Sequence, residues 1–200
     1  MKKVGLMEGT PKAGVEALRL VPPERIRVLD TETTGLSAAH DEVLQLSVID
    51  GTGRELLNQY LRPTHTDSWP EAAEVNGITP ERVAGCPTAA GALPQIQAAV
   101  DGAEVIVIYN AAFDAPFCSA MGVRWPSGAV CYDPMTEYAP VAGEWSDYFG
   151  DYRWQRLSSA AHHYGYSFAA HDALEDVRAT LRVMQGLLSD EEYWALFDED

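Results

Sequence analysis

The chain has 200 residues, of which 46% are hydrophobic, and it carries a formal net charge of −16 at pH 7. That length and apolar content allow one substantial hydrophobic core, so we expect one main domain rather than two. The negative charge excludes a protein that holds nucleic acid through a broad basic surface, because such binding needs many lysines and arginines. Any polyanionic ligand must therefore be held locally.

The spacing of the cysteines and the first residues of the chain bear on the cellular compartment of the protein. Cys86, Cys118 and Cys131 are widely spaced and form no Cys-x-x-Cys pair, which predicts reduced thiols and no zinc site. Lys2 and Lys3 stand near the start, but glycine, proline and charge then interrupt any apolar run that a signal peptide would need. No later run approaches the length of a membrane span. We therefore expect a cytoplasmic protein with no membrane partner.

The first part of the chain predicts an extension followed by three strands. Residues 1–23 are rich in glycine and proline and close with Pro22-Pro23, which favours an N-terminal extension rather than core. Aliphatic and β-branched residues then predict strands at RIRVLD (25–30), VLQLSVID (43–50) and RELLNQYLR (54–62). The second and third of these strands form a hairpin across Gly51-Thr52-Gly53.

The middle of the chain alternates helices and strands. Thr79-Pro80 predicts the start of a helix, and Thr88 is a candidate N-cap for a second one. EVIVIYN (104–110) is typical of a buried strand, and we expect a short helix after it, around residues 116–121. AVCYD (129–133) predicts a fifth strand.

The segment 143–154 is loop-like but contains five aromatic residues: Trp145, Tyr148, Phe149, Tyr152 and Trp154. A platform that stacks the bases of a single strand, a lid and a satellite core remain alternatives for this segment. Arg153 and Arg156 are candidate phosphate contacts. Arg178 and Arg182 are also candidates, although helical spacing would let them pair with nearby acids instead. His162 and His163 are expected to be packing or surface residues.

The clearest helix lies near the end of the sequence. Its apolar residues step by three and four positions: Leu174, Val177, Leu181, Met184 and Leu188. Asp172 and Glu175 have the spacing of a capping box, so Asp176 falls in the first turns of this helix. Residues 189–200 alternate acids with bulky apolar residues, as a docking segment or a frayed end would. We thus divide the chain into an extension (1–23), a main domain (24–188) and an acidic tail (189–200).

Four acids are expected to meet near the ends of these elements. Asp30 and Glu32 alternate on a strand and so point to the same side. Asp114 follows another buried strand, and a helix packed on the sheet would add Asp176. Carboxylates gathered without cations would repel one another and their pKa values would rise. Oxygen ligands select hard ions such as Mg²⁺ or Mn²⁺, and a pair of these about 3.5 to 4 Å apart suits phosphodiester hydrolysis.

His171 adds a group that can transfer protons. A histidine side chain ordinarily titrates near about pH 6.5. A neutral imidazole at this position can take a proton from a water molecule beside the cations without being a metal ligand itself.

Three segments carry a family resemblance: DTETTGL (30–36), YNAAFDAPF (109–117) and HDALEDV (171–177). In order and spacing they resemble the three exonuclease motifs of the DEDDh class of the DnaQ-like 3′–5′ exonuclease superfamily. The resemblance runs from about residue 25 to 188. It implies an α/β, ribonuclease H-like fold, with a mixed five-stranded sheet that begins with an antiparallel meander and is flanked by helices.

The same resemblance implies the site. Two divalent metal ions, Mg²⁺ or Mn²⁺, would be held by four acidic residues: Asp30, Glu32, Asp114 and Asp176. His171 would be the catalytic histidine. In relatives, the residues that follow the first acids lie against the 3′-terminal nucleotide, and here these are Thr33, Thr34, Gly35 and Leu36. Asn110 and Phe113 match positions that line the same cleft.

The leading interpretation is a 3′–5′ exonuclease that releases nucleoside 5′-monophosphates, with single-stranded DNA as its substrate. An RNA exonuclease of the ribonuclease T or oligoribonuclease type is the alternative within the same chemistry, because the choice depends on how the cleft treats a 2′-hydroxyl. From another class, the chain could be a proofreading subunit that acts mainly by binding a DNA polymerase or another protein. A catalytically dead binder of nucleic-acid ends is disfavoured, since no metal ligand of the motifs is missing. Monomer and homodimer both remain open.

Overall fold

The computed structural model of the chain describes Val15 and residues 18–196. Its centre is a five-stranded sheet in the order β3-β2-β1-β4-β5. The strands are β1 (Ile26–Thr33), β2 (Val43–Asp50), β3 (Glu55–Tyr60), β4 (Val105–Val107) and β5 (Val130–Tyr132). The first three strands pair antiparallel, whereas β4 pairs in parallel with both β1 and β5. The mixed sheet and its antiparallel meander are confirmed.

The hairpin between β2 and β3 is closed by a buried carboxylate. Asp50 Oδ1 accepts hydrogen bonds from the main-chain N–H groups of Thr52 at 3.0 Å and Arg54 at 3.1 Å. Gly53 adopts a positive φ of 88°, which a residue with a Cβ rarely tolerates. The sequence Asp-Gly-Thr-Gly therefore fixes the register of the meander.

Helices cover both faces of the sheet. A short 3₁₀ helix (Pro23–Arg25) precedes β1. The α-helices are α1 (Pro70–Asn76), α2 (Pro80–Val83), α3 (Ala89–Val100), α4 (Ala111–Ala120), α5 (Pro134–Ala142), α6 (Leu157–His163), α7 (Ala173–Leu187) and α8 (Glu191–Ala195). Neighbouring β1 residues alternate between the two layers: Val28 belongs to the core beneath α7, and Leu29 to the core beneath α3 and α4. This alternation is what a strand covered on both faces requires.

The N-terminal segment contributes to the core. Val15 and Leu18 are buried in the same cluster as Val28 and Tyr193, contrary to the expectation that this segment lies outside the core. Glycine and proline in the segment hid this contribution, because they interrupt the periodicity by which a buried helix is recognised. The remainder of the predicted extension, residues 1–14 and 16–17, lies outside the described residues.

The acidic tail is packed over its described part. Tyr193 of α8 is 1% exposed, and its hydroxyl donates a hydrogen bond to Glu137 Oε2 of α5 at 2.6 Å. Asp190 caps α8 by accepting a hydrogen bond from the N–H of Glu192 at 2.9 Å. Residues 190–195 are therefore not a frayed end, and residues 197–200 lie outside the described part.

The aromatic segment forms a small hairpin with β6 (Trp145–Ser146) and β7 (Asp151–Tyr152). Four of its five aromatic side chains are exposed, which excludes a satellite core built from them. Among the arginines considered above, Arg178 pairs with Glu175 in α7, as helical spacing allows, and Arg182 donates to the carbonyl of Tyr164. No helix among Val15 and residues 18–196 is long and apolar enough to cross a membrane.

Candidate active site

Strand β1 presents the first two acids of the site. Asp30 and Glu32 occupy alternate positions and line one cavity of about 640 Å³. The pairing of β1 with β2 changes register between Glu32 and Thr33, so the chain leaves the regular ladder directly after the second acid. This irregularity turns the next residues along the rim of the cavity.

Asp114 reaches the same cavity from helix α4. We expected the helix to begin near residue 116, but it begins at Ala111, so Asp114 lies in its first turn rather than at the end of the strand. Asp114 is 3% exposed. Its Oδ1 accepts hydrogen bonds from the Thr31 main-chain N–H at 3.0 Å and from the Thr31 hydroxyl at 2.6 Å. Thr31, which sequence reasoning passed over, therefore ties the acid of α4 to β1.

A second residue that was missed, Asp133, shapes the turn before α4. Its carboxylate accepts hydrogen bonds from the N–H groups of Asn110 at 2.9 Å and Ala111 at 2.8 Å, and also caps α5 through Met135 at 3.0 Å. Asn110 has a left-handed φ of 64°, and these bonds hold it there. The Asp-Pro pair at 133–134 is typical of an N-cap, but its contact with the preceding turn has no local sequence signal.

Helix α7 brings the fourth acid and the histidine. Asp172 caps the helix by accepting hydrogen bonds from Leu174 at 3.0 Å and Glu175 at 3.3 Å, as the capping-box spacing predicts for its first half. Asp176 is 8% exposed, and its Oδ2 accepts a hydrogen bond from the His171 N–H at 3.2 Å. His171 has a left-handed φ of 72° and an exposed side chain.

Three of these side chains are within reach of a single ion. Glu32, His171 and Asp176 each offer a ligand atom, and these atoms lie within 4.8 Å of one another. Asp30 and Asp114 stand beside them, close enough for their charges to act on one another. All the acids predicted from the sequence thus line the same cavity.

The electrostatics of this cluster are unfavourable without a cation. Burial, followed by the charge of Asp114, raises the pKa of Asp30 well above its usual range. Burial and the charge of Asp176 raise the pKa of Glu32 to about 8. Burial also raises the pKa of Asp114 to about 7, against the hydrogen bonds from Thr31, and that of Asp176 to about 6. No lysine or arginine of the described residues lines the cavity.

The donor set fits divalent metal ions. Asp176 Oδ1 is buried and, within the described part of the chain, has no hydrogen-bond partner. An unpartnered buried carboxylate oxygen is costly unless it binds a proton or a cation. The surrounding oxygens of Asp30, Glu32 and Asp114 are the hard ligands that Mg²⁺ and Mn²⁺ prefer.

The cavity also contains every residue predicted to contact substrate: Thr33, Thr34, Gly35, Leu36, Asn110 and Phe113. Leu36 is 87% exposed at the rim. Helix α1 also lines the cavity, which the sequence did not predict. There Val75 is 57% exposed, and Asn76 donates a hydrogen bond from Nδ2 to the Thr33 carbonyl at 3.3 Å.

The loop that carries Leu36 is held by two acids. Asp41 accepts hydrogen bonds from the Ser37 N–H at 2.9 Å and the Thr34 hydroxyl at 3.5 Å. Glu42 accepts from the N–H groups of residues 64–66 at 2.7 to 3.0 Å. The loop that forms the rim of the cavity is therefore held by hydrogen bonds within itself and by hydrogen bonds to the segment after β3.

Comparison with known proteins extends these observations. Residues 28–184 match the family model described as an exonuclease. An uncharacterised exonuclease of Escherichia phage 186 is 34% identical over 173 residues, covering 80% of this chain and 86% of the phage protein. The PolC-type DNA polymerase III of Clostridium perfringens is 28% identical over 162 residues, covering 79% of this chain but only 11% of the polymerase.

Solved structures share the fold. Exonuclease I of E. coli in complex with a dA16 oligonucleotide superposes with a TM-score of 0.66 at 20% identity, over 86% of this chain and 42% of that one. Exonuclease X in complex with 5′ overhanging duplex DNA gives a TM-score of 0.57 at 20% identity, over 79% of this chain and 89% of that one. The ribonuclease H-like fold expected from the sequence is confirmed.

Proposed function

Because the chain belongs to the exonuclease family whose model it matches, we propose that it is a metal-dependent 3′–5′ exonuclease acting on single-stranded DNA. Its products would be nucleoside 5′-monophosphates. One observation carries the proposal: four acids from β1, α4 and α7 converge on one cavity that has no cationic side chain of its own among the described residues.

In this proposal each acidic side chain is positioned by its own set of contacts. Asp30 and Glu32 are fixed by the pairing of β1 with β2, and Asp114 is fixed by two hydrogen bonds from Thr31. Asp176 leaves one oxygen for a ligand while the other accepts from His171. These four carboxylates would hold two Mg²⁺ or Mn²⁺ ions. When bound, the ions would neutralise the phosphate charge and stabilise the charge that develops during hydrolysis.

His171 is the proposed proton acceptor. Its side chain is exposed at the edge of the cavity, and its main chain is tied to Asp176, so the imidazole stands beside the acids with access to solvent. In this role the imidazole would accept a proton from the attacking water and would then release that proton to bulk solvent. The left-handed backbone at His171 is strained for a residue with a Cβ, and such strain is commonly kept where geometry serves function.

The rim of the cavity is suited to the end of a strand. Leu36 and Val75 both expose apolar side chains in the lining of the cavity, where an unstacked terminal base would pack against them. Single-stranded DNA is proposed as the substrate because E. coli Exonuclease I is described in complex with dA16 and dT13 oligonucleotides. RNA is the competing substrate, because the choice between DNA and RNA depends on whether the cavity accepts a 2′-hydroxyl.

The experiment is a time course on 5′-labelled single-stranded DNA, duplex DNA and RNA, with Mg²⁺ or Mn²⁺ and with EDTA. A ladder that shortens from the 3′ end, depends on the metal and disappears in Asp30→Asn would support the proposal. Asp67→Asn is the matched control, because Asp67 is an exposed acid outside the cavity. Release of the labelled 5′ nucleotide first, or hydrolysis that survives in Asp30→Asn, would contradict it.

A second candidate role follows from the similarity to PolC-type polymerases, of which the chain covers only a small part. In this role the chain would edit 3′ ends made by a polymerase. Primer–template duplexes with a paired or a mispaired 3′ end distinguish the two roles. Faster removal of the mispaired nucleotide would favour editing, and equal rates would favour general degradation.

A further inference from the structure

The hairpin at 145–154, called the aromatic hairpin below, is well ordered by its own main chain. Trp145 pairs with Tyr152 and Ser146 with Asp151. The Ser146 carbonyl accepts hydrogen bonds from the N–H groups of Phe149 at 3.2 Å and Gly150 at 2.8 Å. The tight loop at 147–150 is therefore a fixed support for the side chains that it carries.

These side chains form an exposed aromatic surface. Trp145 is 53% exposed, Tyr148 88%, Phe149 75% and Trp154 64%. The rings of Tyr148 and Phe149 meet edge to face at 4.8 Å, so each leaves a flat face open to solvent. Exposed apolar surface of this extent usually marks a binding site.

A chain of hydrogen bonds joins the aromatic hairpin to the active-site cavity. Tyr109 lines the cavity, and its hydroxyl donates to the Gln155 carbonyl at 2.8 Å. Gln155 in turn donates from Nε2 to the Arg153 carbonyl at 3.2 Å. The Arg153 N–H donates to the Glu144 carbonyl at 2.8 Å, at the base of the hairpin. The hairpin is thus attached to the wall that carries Asn110.

Two exposed arginines, Arg153 and Arg156, lie at the base of the hairpin among three exposed acids, Glu144, Asp147 and Asp151. Neither arginine forms an ion pair with any of the described residues. Asp147 is partly engaged, because it accepts a hydrogen bond from the Trp145 indole at 3.1 Å. Open aromatic faces beside free guanidinium groups are the combination that binds single-stranded nucleic acid without reading its sequence.

We propose that the aromatic hairpin stacks the bases of the single strand a few nucleotides upstream of the 3′ end that occupies the cavity. This inference rests on the proposed function, because it assigns the path of the same substrate. Tyr148 and Phe149 supply the stacking faces, and Arg153 and Arg156 contact the phosphates between the hairpin and the cavity. On this inference a dinucleotide occupies the cavity alone, whereas a strand of a dozen nucleotides also contacts the hairpin.

The test compares hydrolysis of dT12 and dT2 by the whole chain and by the double variant Tyr148→Ala/Phe149→Ala. We expect the KM for dT12 to rise by roughly ten- to a hundredfold. The kcat on dT12 and the kcat/KM on dT2 should not change. Tyr148→Phe/Phe149→Tyr keeps both rings and should behave as the wild type. Leu20→Ala is the control for loss of an exposed apolar side chain elsewhere, since Leu20 is 85% exposed.

Two other outcomes would overturn the inference. An unchanged KM for dT12 would remove the stacking role, and loss of a concentration-dependent dimer in the same double variant would assign the surface to a second copy of the chain. If the wild type hydrolysed neither substrate, the proposed function would fail instead. Fluorescence anisotropy would then measure the binding of labelled dT12 to the wild type and to the double variant. Equal affinity of the two proteins would exclude the stacking role of the hairpin.

Discussion

Thr31 holds Asp114 with two hydrogen bonds to the same oxygen, one from its main-chain N–H at 3.0 Å and one from its hydroxyl at 2.6 Å. The contact joins strand β1 to helix α4 in the buried part of the site. Through it, the position of Asp114 relative to Asp30 and Glu32 is set by one residue, through both its main chain and its side chain.

Thr31→Val should therefore damage the site without changing the shape of the core. The variant keeps the branched side chain but removes the hydroxyl, and a hydrogen bond to a charged group contributes about 1.5 to 3 kcal/mol. We expect a lower free energy of unfolding and a lower kcat, measured by chemical denaturation and by the nuclease assay. Thr31→Ser keeps the hydroxyl and should retain most of the rate. Equal loss in both variants would assign the effect to packing.

The stability of the metal-free chain should fall as pH rises from about 5 to about 8. Asp30, Glu32, Asp114 and Asp176 all have raised pKa values, so the folded chain binds more protons than the unfolded chain across this range. The stability they contribute is present near and below the ordinary carboxyl pKa of about 4. This stability is lost as the pH rises through the raised pKa values, up to that of Glu32 at about 8.

Thermal melts in EDTA at several pH values measure this dependence, and Mg²⁺ or Mn²⁺ should restore the melting temperature at pH 8. Asp30→Asn is the informative variant, since removing one repelling charge should flatten the profile. The groups with lowered pKa values, such as Glu42 and Asp50, lose their stabilising effect only in more acidic solution and do not enter this window. A melting temperature that rises between pH 5 and 8 in EDTA would count against the electrostatic account.

His171→Ala should reduce kcat by roughly a hundred- to ten-thousandfold, the range typical for loss of a general base. The KM should change little, because the exposed His171 side chain is assigned a proton transfer and not a contact that holds the substrate. His162→Ala, an exposed histidine of α6, is the control and should keep the wild-type rate.

Calorimetric titration with Mn²⁺ separates two roles for this imidazole. Since an atom of His171 lies within 4.8 Å of ligand atoms of Glu32 and Asp176, it is also within reach of an ion. Unchanged metal affinity in His171→Ala would support proton transfer. A large loss of affinity would make His171 a ligand and exclude it as the base.

Gly35→Ala should disturb the rim of the cavity. A Cβ at Gly35 would lie 2.5 Å from the carboxylate of Asp41, which holds the loop through Thr34 and Ser37. We expect a higher KM and a loss of about 1 to 3 kcal/mol in stability, as overpacking usually costs. Gly85→Ala is the matched control, because a Cβ there meets nothing within 4 Å. Equal behaviour of the two variants would show that the Asp41 contact does not matter.

Much of the fold was readable because its signals are local. Strands β1, β2 and β3 are rich in aliphatic and β-branched residues, and the cap of α7 by Asp172 follows from spacing alone. The start of α4 was wrong because it depends on Asp133, which lies more than twenty positions downstream and holds Asn110 in a left-handed conformation. Helix α1 escaped notice as a wall of the site for a similar reason. Its place beside Thr33 is set by tertiary packing and not by any pattern of its own sequence.

The cavity lined by acids, with no lysine or arginine among its described residues, also bears on regulation. A surface with this net charge repels polyanions, and inorganic cations held by the acids of the cavity would reverse the field there. On the proposed function, the supply of free divalent ion would act as the switch that admits DNA. A cell that holds this supply low would keep the protein idle without any inhibitor.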